Sequence, residues 1–299
     1  MKHSFKDWLV VTRYWSFSVS TMPVLATFAY LCSRHLLPSG PAPVANFILA
    51  LAGIVLFHAA GNVLSDYFDY KKGVDNENAF AVPNLVFHKY EPKEYLVFSI
   101  ALFVVAILLG LVLTLLSGPA LLVTGGVGFI LTVLYSFFKF RALGDLDIFI
   151  IFGILPIIGT SYVVAGSVCW PALVLSIPIG LVTVSVLHAN NTLDIESDRA
   201  AGIRTFAMLI GGRASSRLYI AYQLIPFIFI AAAVIAGALT PFALLCLPAL
   251  LPAISNIKAA SGFDRKGIDA MMGLDQASAK MQLAFSGLLS IGLFISALL

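Results

Sequence analysis

Long apolar segments, separated by short polar connections, make up most of this chain. A helix that crosses the hydrocarbon core of a bilayer needs about 20 apolar residues. We predict nine such spans, at residues 14–32, 44–65, 95–116, 119–138, 146–167, 171–190, 217–237, 240–257 and 281–299. The pattern therefore predicts an all-α protein, a polytopic membrane helical bundle that forms a single domain over residues 1–299.

The composition supports a membrane protein and excludes several other classes. Hydrophobic residues make up 60% of the chain and charged residues only 11%, whereas about a quarter of the residues of an average soluble domain are charged. The net charge of +3 gives no reason to expect a nucleic-acid partner. The three cysteines, Cys32, Cys169 and Cys246, have neither metal-site spacing nor a disulfide pattern. The sequence leaves the oligomeric state open.

The distribution of basic residues predicts the orientation in the membrane. If the N-terminus is cytoplasmic, the cytoplasmic connections are residues 1–13, 66–94, 139–145, 191–216 and 258–280. All Lys and Arg residues except Arg34 lie in these connections or at their border. Because cytoplasmic loops are rich in Lys and Arg, we expect a multi-pass protein of the cell inner membrane with its N-terminus and polar loops in the cytoplasm.

Two polar stripes lie at the predicted cytoplasmic ends of spans two and six. Their members are three or four residues apart, so each set shares one helix face. The first stripe is Asn62, Asp66 and Asp69, and the second is Asn190, Asp194 and Asp198. A histidine precedes each stripe, so residues 58–75 and 188–205 look like an internal repeat. Acids at membrane depth are by default a functional-site hypothesis.

The connection between predicted spans four and five adds basic residues at the same end. Tyr135 and Lys139 are four residues apart and therefore share a helix face. Mg²⁺ prefers oxygen ligands and is commonly held by one or two carboxylates together with substrate phosphates. Two acidic stripes with cations nearby therefore predict a site for Mg²⁺ and a diphosphate. The polar residues that we expect to contact the diphosphate are Asn62, Lys71, Lys72, Arg141, Asn190, Asn191 and Arg204.

At these residues the chain resembles the UbiA superfamily of intramembrane prenyltransferases. The first aspartate-rich motif of that family is matched by residues 65–69 with Asp75 further on, its YxxxK motif by Tyr135 and Lys139, and its DxxxD motif by Asp194 and Asp198. The resemblance runs from about residue 10 to the C-terminus. Three motifs in the family's order, all on the predicted cytoplasmic side, make it specific.

The resemblance implies a UbiA-like bundle and Mg²⁺-dependent transfer of a prenyl group from an isoprenyl diphosphate to an aromatic acceptor, beside membrane lipid. It implies that the metal ligands are Asp66, Asp69, Asp194 and Asp198, and that Tyr135 and Lys139 join them as catalytic residues. The stretches at 66–75, 142–153 and 190–205 are most similar to the MenA-type branch. That branch uses 1,4-dihydroxy-2-naphthoate as acceptor, which implies a role in menaquinone biosynthesis.

Other interpretations remain open at this point. Ser65 stands where the family usually has Asn, and residues 76–90 lack an arginine often found there, which would suit a family member that binds an isoprenoid or quinone without catalysis. Transfer to 4-hydroxybenzoate or another acceptor is a further alternative. A transporter would place acids near the midplane with access from both faces, whereas these acids crowd one face. For each acid the simpler alternative is a solvated helix end, and for His58 and His188 it is a packed, hydrogen-bonded histidine.

Overall fold

The computed structural model of the chain describes residues 3–73 and 84–299. Nine helices in these residues correspond to the predicted spans. They are α1 (Ser18–Ser33), α2 (Ala42–Lys72), α3 (Pro92–Ser117), α4 (Leu121–Val133), α5 (Leu155–Ala165), α6 (Ser176–Leu193), α7 (Gly212–Ile235), α8 (Leu250–Ala260) and α9 (Leu274–Leu298). Within the described ranges there is no β-strand, and the expected all-α fold is confirmed.

Shorter helices extend or connect these nine. The short α-helices are Phe5–Val11, Tyr135–Lys139, Gly144–Ile148, Ile195–Ala200, Phe206–Ile210 and Phe263–Lys266. The 3₁₀ helices are Tyr14–Ser16, Trp170–Leu175, Pro241–Ala249 and Gly267–Met271. Residues Phe149–Ile154 form a π-helix that runs directly into α5.

Eight helical segments of the described chain are long and apolar enough to cross a membrane, one fewer than predicted. The exception is α4, which has 13 residues, a length of about 20 Å at 1.5 Å per residue. Its predicted span continued to residue 138, but the helix ends at Val133 and a separate helix begins at Tyr135. The hydropathy pattern predicted the position of this segment correctly but did not predict the break between the two helices.

The core of the bundle lies between α1, α6, α7 and α9. Side chains from these four helices, among them Ile179, Ile230, Phe285 and Leu289, are fully buried in one hydrophobic cluster. The π-helix meets α6 where two glycines face each other, because a Cβ added to Gly153 would lie 3.0 Å from Gly180 Cα. Small residues permit such close helix crossings in membranes. This crossing brings α6, which carries Asn190 and has Asp194 as its C-cap, against the segment that follows Lys139.

Charged residues collect at one end of the bundle, which we call the polar end. It is the end where α2 finishes at Lys72 and α6 finishes at Leu193. At the opposite end Arg34 donates hydrogen bonds to the carbonyl oxygens of Gly237 and Ala238, in the turn after α7. Arg34, the basic residue predicted to lie outside the cytoplasmic connections, is thus at the other end of the bundle from the polar end, paired with main-chain oxygens.

Candidate active site

A large cavity of about 1600 Å³ includes residues of the polar end in its lining and extends along the helices. Typical pockets for small ligands are about 300–1,000 Å³. The cavity is lined by both acidic stripes and by the predicted tyrosine and lysine: Asn62, Asp66, Asp69, Tyr135, Lys139, Asn190, Asp194 and Asp198. Stretches that are far apart in the sequence thus converge on one space.

Each carboxylate of the first stripe has a basic side chain against it. The guanidinium of Arg13 donates a hydrogen bond to Asp66. Lys139 Nζ lies 3.2 Å from Asp69 Oδ2, and both of these side chains are almost buried. The other oxygen of Asp69 is buried and accepts no hydrogen bond from any described residue. The first stripe is therefore charge-compensated, with unused acceptor capacity on Asp69.

Arg13 reaches the cavity because of the turn that precedes α1. Its backbone is left-handed, with φ 54° and ψ 48°, a conformation that costs energy for residues other than Gly and that often occurs at functional sites. Asn62 holds this turn, since its side-chain amide donates to the Thr12 carbonyl oxygen at 2.9 Å and to Ser16 Oγ at 3.3 Å. Asn62, a member of the first stripe, thus positions Arg13, and Arg13 in turn pairs with Asp66, the next member of that stripe.

The second stripe is arranged differently. Asn190 donates to Asp194 Oδ2 at 2.8 Å, which orients that carboxylate. Asp198 is 3% exposed, and its Oδ2 accepts no hydrogen bond from the described part of the chain. Burial raises the pKa of Asp198 to about 7, and the nearby Asp194 and Asp69 add to the rise although Lys139 opposes it. A cation at this position would favour the ionised form of Asp198.

Lys139 lies between the two stripes. Burial alone would lower the pKa of its ammonium, but Asp69, Tyr135 and Asp198 outweigh that effect, so the pKa is raised above its ordinary value. Asp69 belongs to the first stripe and Asp198 to the second, so the negative charge of both stripes acts on Lys139. The ammonium therefore stays protonated at neutral pH, as a permanent positive charge in the cavity.

The carboxylates fit Mg²⁺ that arrives with a phosphate-bearing substrate better than a preformed metal centre. Among the described residues no three His, Cys, Asp or Glu side chains gather closely enough to hold a metal by themselves. Mg²⁺ commonly retains waters and uses one or two carboxylates plus substrate phosphates. The buried acceptor oxygens Asp69 Oδ1 and Asp198 Oδ2, one from each stripe, are suitable donors for such an ion.

Comparisons with known proteins identify the family. The profile described as the UbiA prenyltransferase family matches residues 20–272. The chain belongs to the UbiA prenyltransferase family. A curated relative, UbiA prenyltransferase domain-containing protein 1 of Xenopus tropicalis, is 31% identical over 242 residues, which cover 76% of this chain and 66% of that protein. The chain thus aligns with about two thirds of that relative's length.

Solved structures of UbiA homologues share the fold. The apo structure of a homologue from Aeropyrum pernix K1 matches with a TM-score of 0.65 and 18% identity, over 93% of this chain and 97% of that one. The structure of a homologue from Archaeoglobus fulgidus bound to DMAPP and Mg²⁺ matches with a TM-score of 0.62 and 13% identity, over 95% and 99%. Family and fold together make this chain an integral membrane protein. They do not single out the naphthoate branch.

Not all of the predicted diphosphate contacts line the cavity of this UbiA-family chain. Five lie elsewhere: Lys71, Lys72, Arg141, Asn191 and Arg204. Lys71 and Lys72 are exposed at the end of α2, and the Lys71 ammonium lies over the Tyr67 ring. Asn191 is buried, because it is one residue beyond the cavity-facing Asn190 and so points about 100° away from it around α6. In this conformation none of the five faces the acids.

The two arginines of this set lie side by side at the polar end. The Arg141 guanidinium stacks on the Phe137 ring, with 3.6 Å from Cζ to the ring centroid. The main-chain N–H of Arg204 donates to the Phe140 carbonyl oxygen at 3.2 Å. Both side chains are exposed. The pairing ties the loop after the second stripe to the loop after Lys139. Asp75, the remaining member of the first motif, lies outside the described residues.

A buried hydrogen-bond network supports the site from behind. His188 Nδ1 lies 2.6 Å from Asp145 Oδ2, and His188 Nε2 lies 2.8 Å from Ser215 Oγ. Thr192 bonds to the same serine and to the His188 carbonyl oxygen. His188 and Ser215 have no exposed surface. The network joins the segment after Lys139 to α6 and to the start of α7, and so fixes Lys139 relative to the second stripe.

Sequence reasoning missed Arg13 and the partners of His188. Arg13 precedes the first span, where the positive-inside pattern explains a basic residue without any substrate. Ser215 lies 27 residues from His188 along the chain, and no spacing rule connects the two. His58, the equivalent histidine before the first stripe, hydrogen-bonds to Ser20 Oγ at 3.0 Å. The two histidines therefore have different surroundings, although both are hydrogen-bonded in the interior.

Proposed function

We propose that this protein catalyses Mg²⁺-dependent transfer of a prenyl group from an isoprenyl diphosphate to an aromatic acceptor. The observation that carries the proposal is the convergence of two acidic stripes and two cations, Arg13 and Lys139, at the head of a long apolar cavity. The membership of the UbiA family supports it. The structures of the Archaeoglobus fulgidus homologue with DMAPP or GPP and Mg²⁺ support the same substrate class.

The residues have distinct roles in this proposal. Asp66, Asp69, Asp194 and Asp198 hold Mg²⁺, which neutralises charge on the diphosphate when bound. Lys139 and Arg13 add positive charge beside the leaving group, where charge develops as the allylic carbon–oxygen bond breaks. This requires the ion pairs with Asp69 and Asp66 to open when substrate enters. Tyr135, one turn from Lys139, contacts the diphosphate end of the substrate.

The apolar part of the cavity protects the reaction. Breaking the carbon–oxygen bond leaves an allylic cation on the prenyl chain, and water would quench it. Excluding water from the site prevents that side reaction. The electron-rich ring of the acceptor attacks the cation and forms a carbon–carbon bond, after which the ring loses a proton or, for a naphthoate acceptor, its carboxylate.

We further infer that the acceptor is 1,4-dihydroxy-2-naphthoate, which would place the protein in menaquinone biosynthesis. The support is the similarity of residues 66–75, 142–153 and 190–205 to the MenA-type branch. We also infer that the polar end is cytoplasmic, in the cell inner membrane, because nearly all Lys and Arg residues lie there. A single domain over residues 1–299 is part of the same proposal. So are contacts to the diphosphate, made on substrate binding, from the five residues that do not line the cavity: Lys71, Lys72, Arg141, Asn191 and Arg204.

The test is product identification by mass spectrometry. Purified protein in lipid nanodiscs is incubated with Mg²⁺, geranylgeranyl diphosphate and, in parallel, 1,4-dihydroxy-2-naphthoate or 4-hydroxybenzoate. We expect a prenylated, decarboxylated product from the naphthoate and much less product from 4-hydroxybenzoate. A prenylated product from 4-hydroxybenzoate alone would contradict the naphthoate assignment and leave the reaction class intact.

A non-catalytic member of the family is the second candidate, and the charge compensation of the first stripe favours it. Arg13 and Lys139 already occupy Asp66 and Asp69, so those carboxylates are engaged before any ligand binds. Measurement of diphosphate release separates the two candidates, because a binding protein retains its isoprenyl diphosphate intact whereas an enzyme releases diphosphate as product forms.

A further inference from the structure

The cavity extends far from the acids, toward the opposite end of the bundle. Along α2 its lining includes Asp69, Gly61, Phe57, Gly53 and Ala50. The rise of an α-helix places Gly53 about 24 Å from Asp69. A short prenyl chain needs only the first part of this length, so the far part of the cavity is available to a longer chain.

Glycines on three helices line that far part. Gly53 is on α2, Gly110 on α3, and Gly125 and Gly126 on α4. Gly110 lies about 27 Å along α3 from its start at the polar end, a depth similar to that of Gly53. Glycine destabilises a helix relative to alanine by up to about 1 kcal/mol. Four glycines around one cavity therefore indicate that the absence of side chains there, which leaves the cavity wide, offsets this cost.

These glycines are not required for close helix packing. A Cβ built at Gly53, Gly110, Gly125 or Gly126 meets no atom within 4 Å. At Gly180, where helices do pack closely, a Cβ would meet Phe149 Cε2 at 2.6 Å. The far glycines therefore border open space, and larger side chains at these positions would project into it.

We propose that Gly53 and Gly110 set the longest prenyl chain that the protein accepts, and that its substrate is a long-chain isoprenyl diphosphate whose tail passes them. This inference rests on the proposed function. The diphosphate is held at the acids, and the tail lies along α2, α3 and α4. Leucine at either glycine fills the passage, excludes the end of a long tail and leaves the space for a short one.

The experiment compares a short and a long substrate on the same variants. Gly53→Leu and Gly110→Leu are assayed in nanodiscs with Mg²⁺, 1,4-dihydroxy-2-naphthoate as acceptor, and either geranyl diphosphate or solanesyl diphosphate. The turnover of each prenyl diphosphate is measured by diphosphate release. Gly287→Leu is the matched control, because Gly287 is inside α9, its Cβ position is also open, and it does not line the cavity.

We expect wild type to turn over both substrates. In Gly53→Leu and Gly110→Leu the ratio of solanesyl to geranyl turnover should fall about tenfold or more, because methylenes that no longer fit lose their contribution to binding. Geranyl turnover and the Gly287→Leu ratio should stay close to wild type. If a leucine variant fails to accumulate in the membrane, Gly53→Ala and Gly110→Ala supply the same comparison with a smaller decrease.

Three results would overturn the inference. One is an unchanged ratio in both glycine variants, whether or not overall turnover falls. Another is an equal fall of the ratio in Gly287→Leu. The third is a wild-type protein that turns over the short substrate only, which would leave the proposed function standing. A wild-type protein that releases diphosphate from neither substrate would instead refute the proposed function itself.

Discussion

At the residue scale, each carboxylate of the first stripe is already matched by a cation. Arg13 contacts Asp66 and Lys139 contacts Asp69, whereas in the second stripe Asp198 is buried with an unused acceptor oxygen. Asp69 and Asp198 therefore have different partners, although the two stripes are similar in sequence. When a diphosphate binds, these ion pairs would be replaced by new contacts. Arg13 and Lys139 would contact the phosphate oxygens, and the carboxylates would contact Mg²⁺.

Neutralising one acid in either stripe tests the role of the carboxylates. We expect Asp66→Asn and Asp194→Asn each to lower prenyl transfer at least about 100-fold, the scale of losing one strong electrostatic contact to a transition state. The thermal unfolding temperature should change little, since the amide has the size of the acid. Asp264→Asn is the control, because Asp264 is an exposed acid paired with Arg213 outside the cavity. Turnover near the wild-type rate in either cavity variant would refute the metal assignment.

Lys139 allows its structural and chemical roles to be separated. Lys139→Met should destabilise the protein by about 2–3 kcal/mol, somewhat less than for a fully buried pair, because Asp69 loses its partner. The double variant Lys139→Met with Asp69→Asn should recover much of that stability, yet remain inactive. Unfolding in detergent and diphosphate release are measured on the same samples. Recovery of activity together with stability would show that Lys139 acts only through the fold.

At the element scale, the helices that carry the acids are held by buried polar contacts. The pattern of apolar segments predicted all nine helices. The three-or-four-residue spacing predicted which acids line one cavity, but Asp194 is the C-cap of α6 and Asp198 lies on the separate helix Ile195–Ala200, so the second stripe is not one helix face. The pattern did not predict that α4 is short, that Phe149–Ile154 form a π-helix or that the backbone turns at Arg13. These features depend on contacts between distant segments, such as Gly153 against Gly180 and Asn62 against Thr12.

The network around His188 gives a prediction about element positions. His188→Ala should lower the free energy of unfolding by about 2–4 kcal/mol, because it leaves Asp145 buried without its hydrogen-bond donor. His188→Gln retains an amide that can donate to Asp145 and should cost less. Thermal unfolding of the two variants in the same detergent gives the comparison. If His188→Ala is as stable as wild type, this network does not hold α6 against the segment after Lys139.

At the scale of the whole molecule, one bundle combines a charged head and an apolar cavity. Family and fold followed from the sequence motifs, because the acids, Tyr135 and Lys139 occur in the family's order. The outward orientation of Lys71, Lys72, Arg141 and Arg204 could not be predicted, because basic residues at this end of a membrane protein satisfy its topology as well as a substrate. In the structure, Arg13 and Lys139 line the cavity beside the acids, whereas these four exposed residues lie outside it.

The most direct test of the central claim is the metal dependence of turnover. Wild-type protein in nanodiscs receives geranylgeranyl diphosphate and 1,4-dihydroxy-2-naphthoate, and diphosphate release is followed with excess EDTA and then with Mg²⁺ restored. Because the proposed function has the four carboxylates hold the diphosphate only through Mg²⁺, we predict no release in EDTA and full recovery with Mg²⁺. Turnover that continues in excess EDTA would contradict the account.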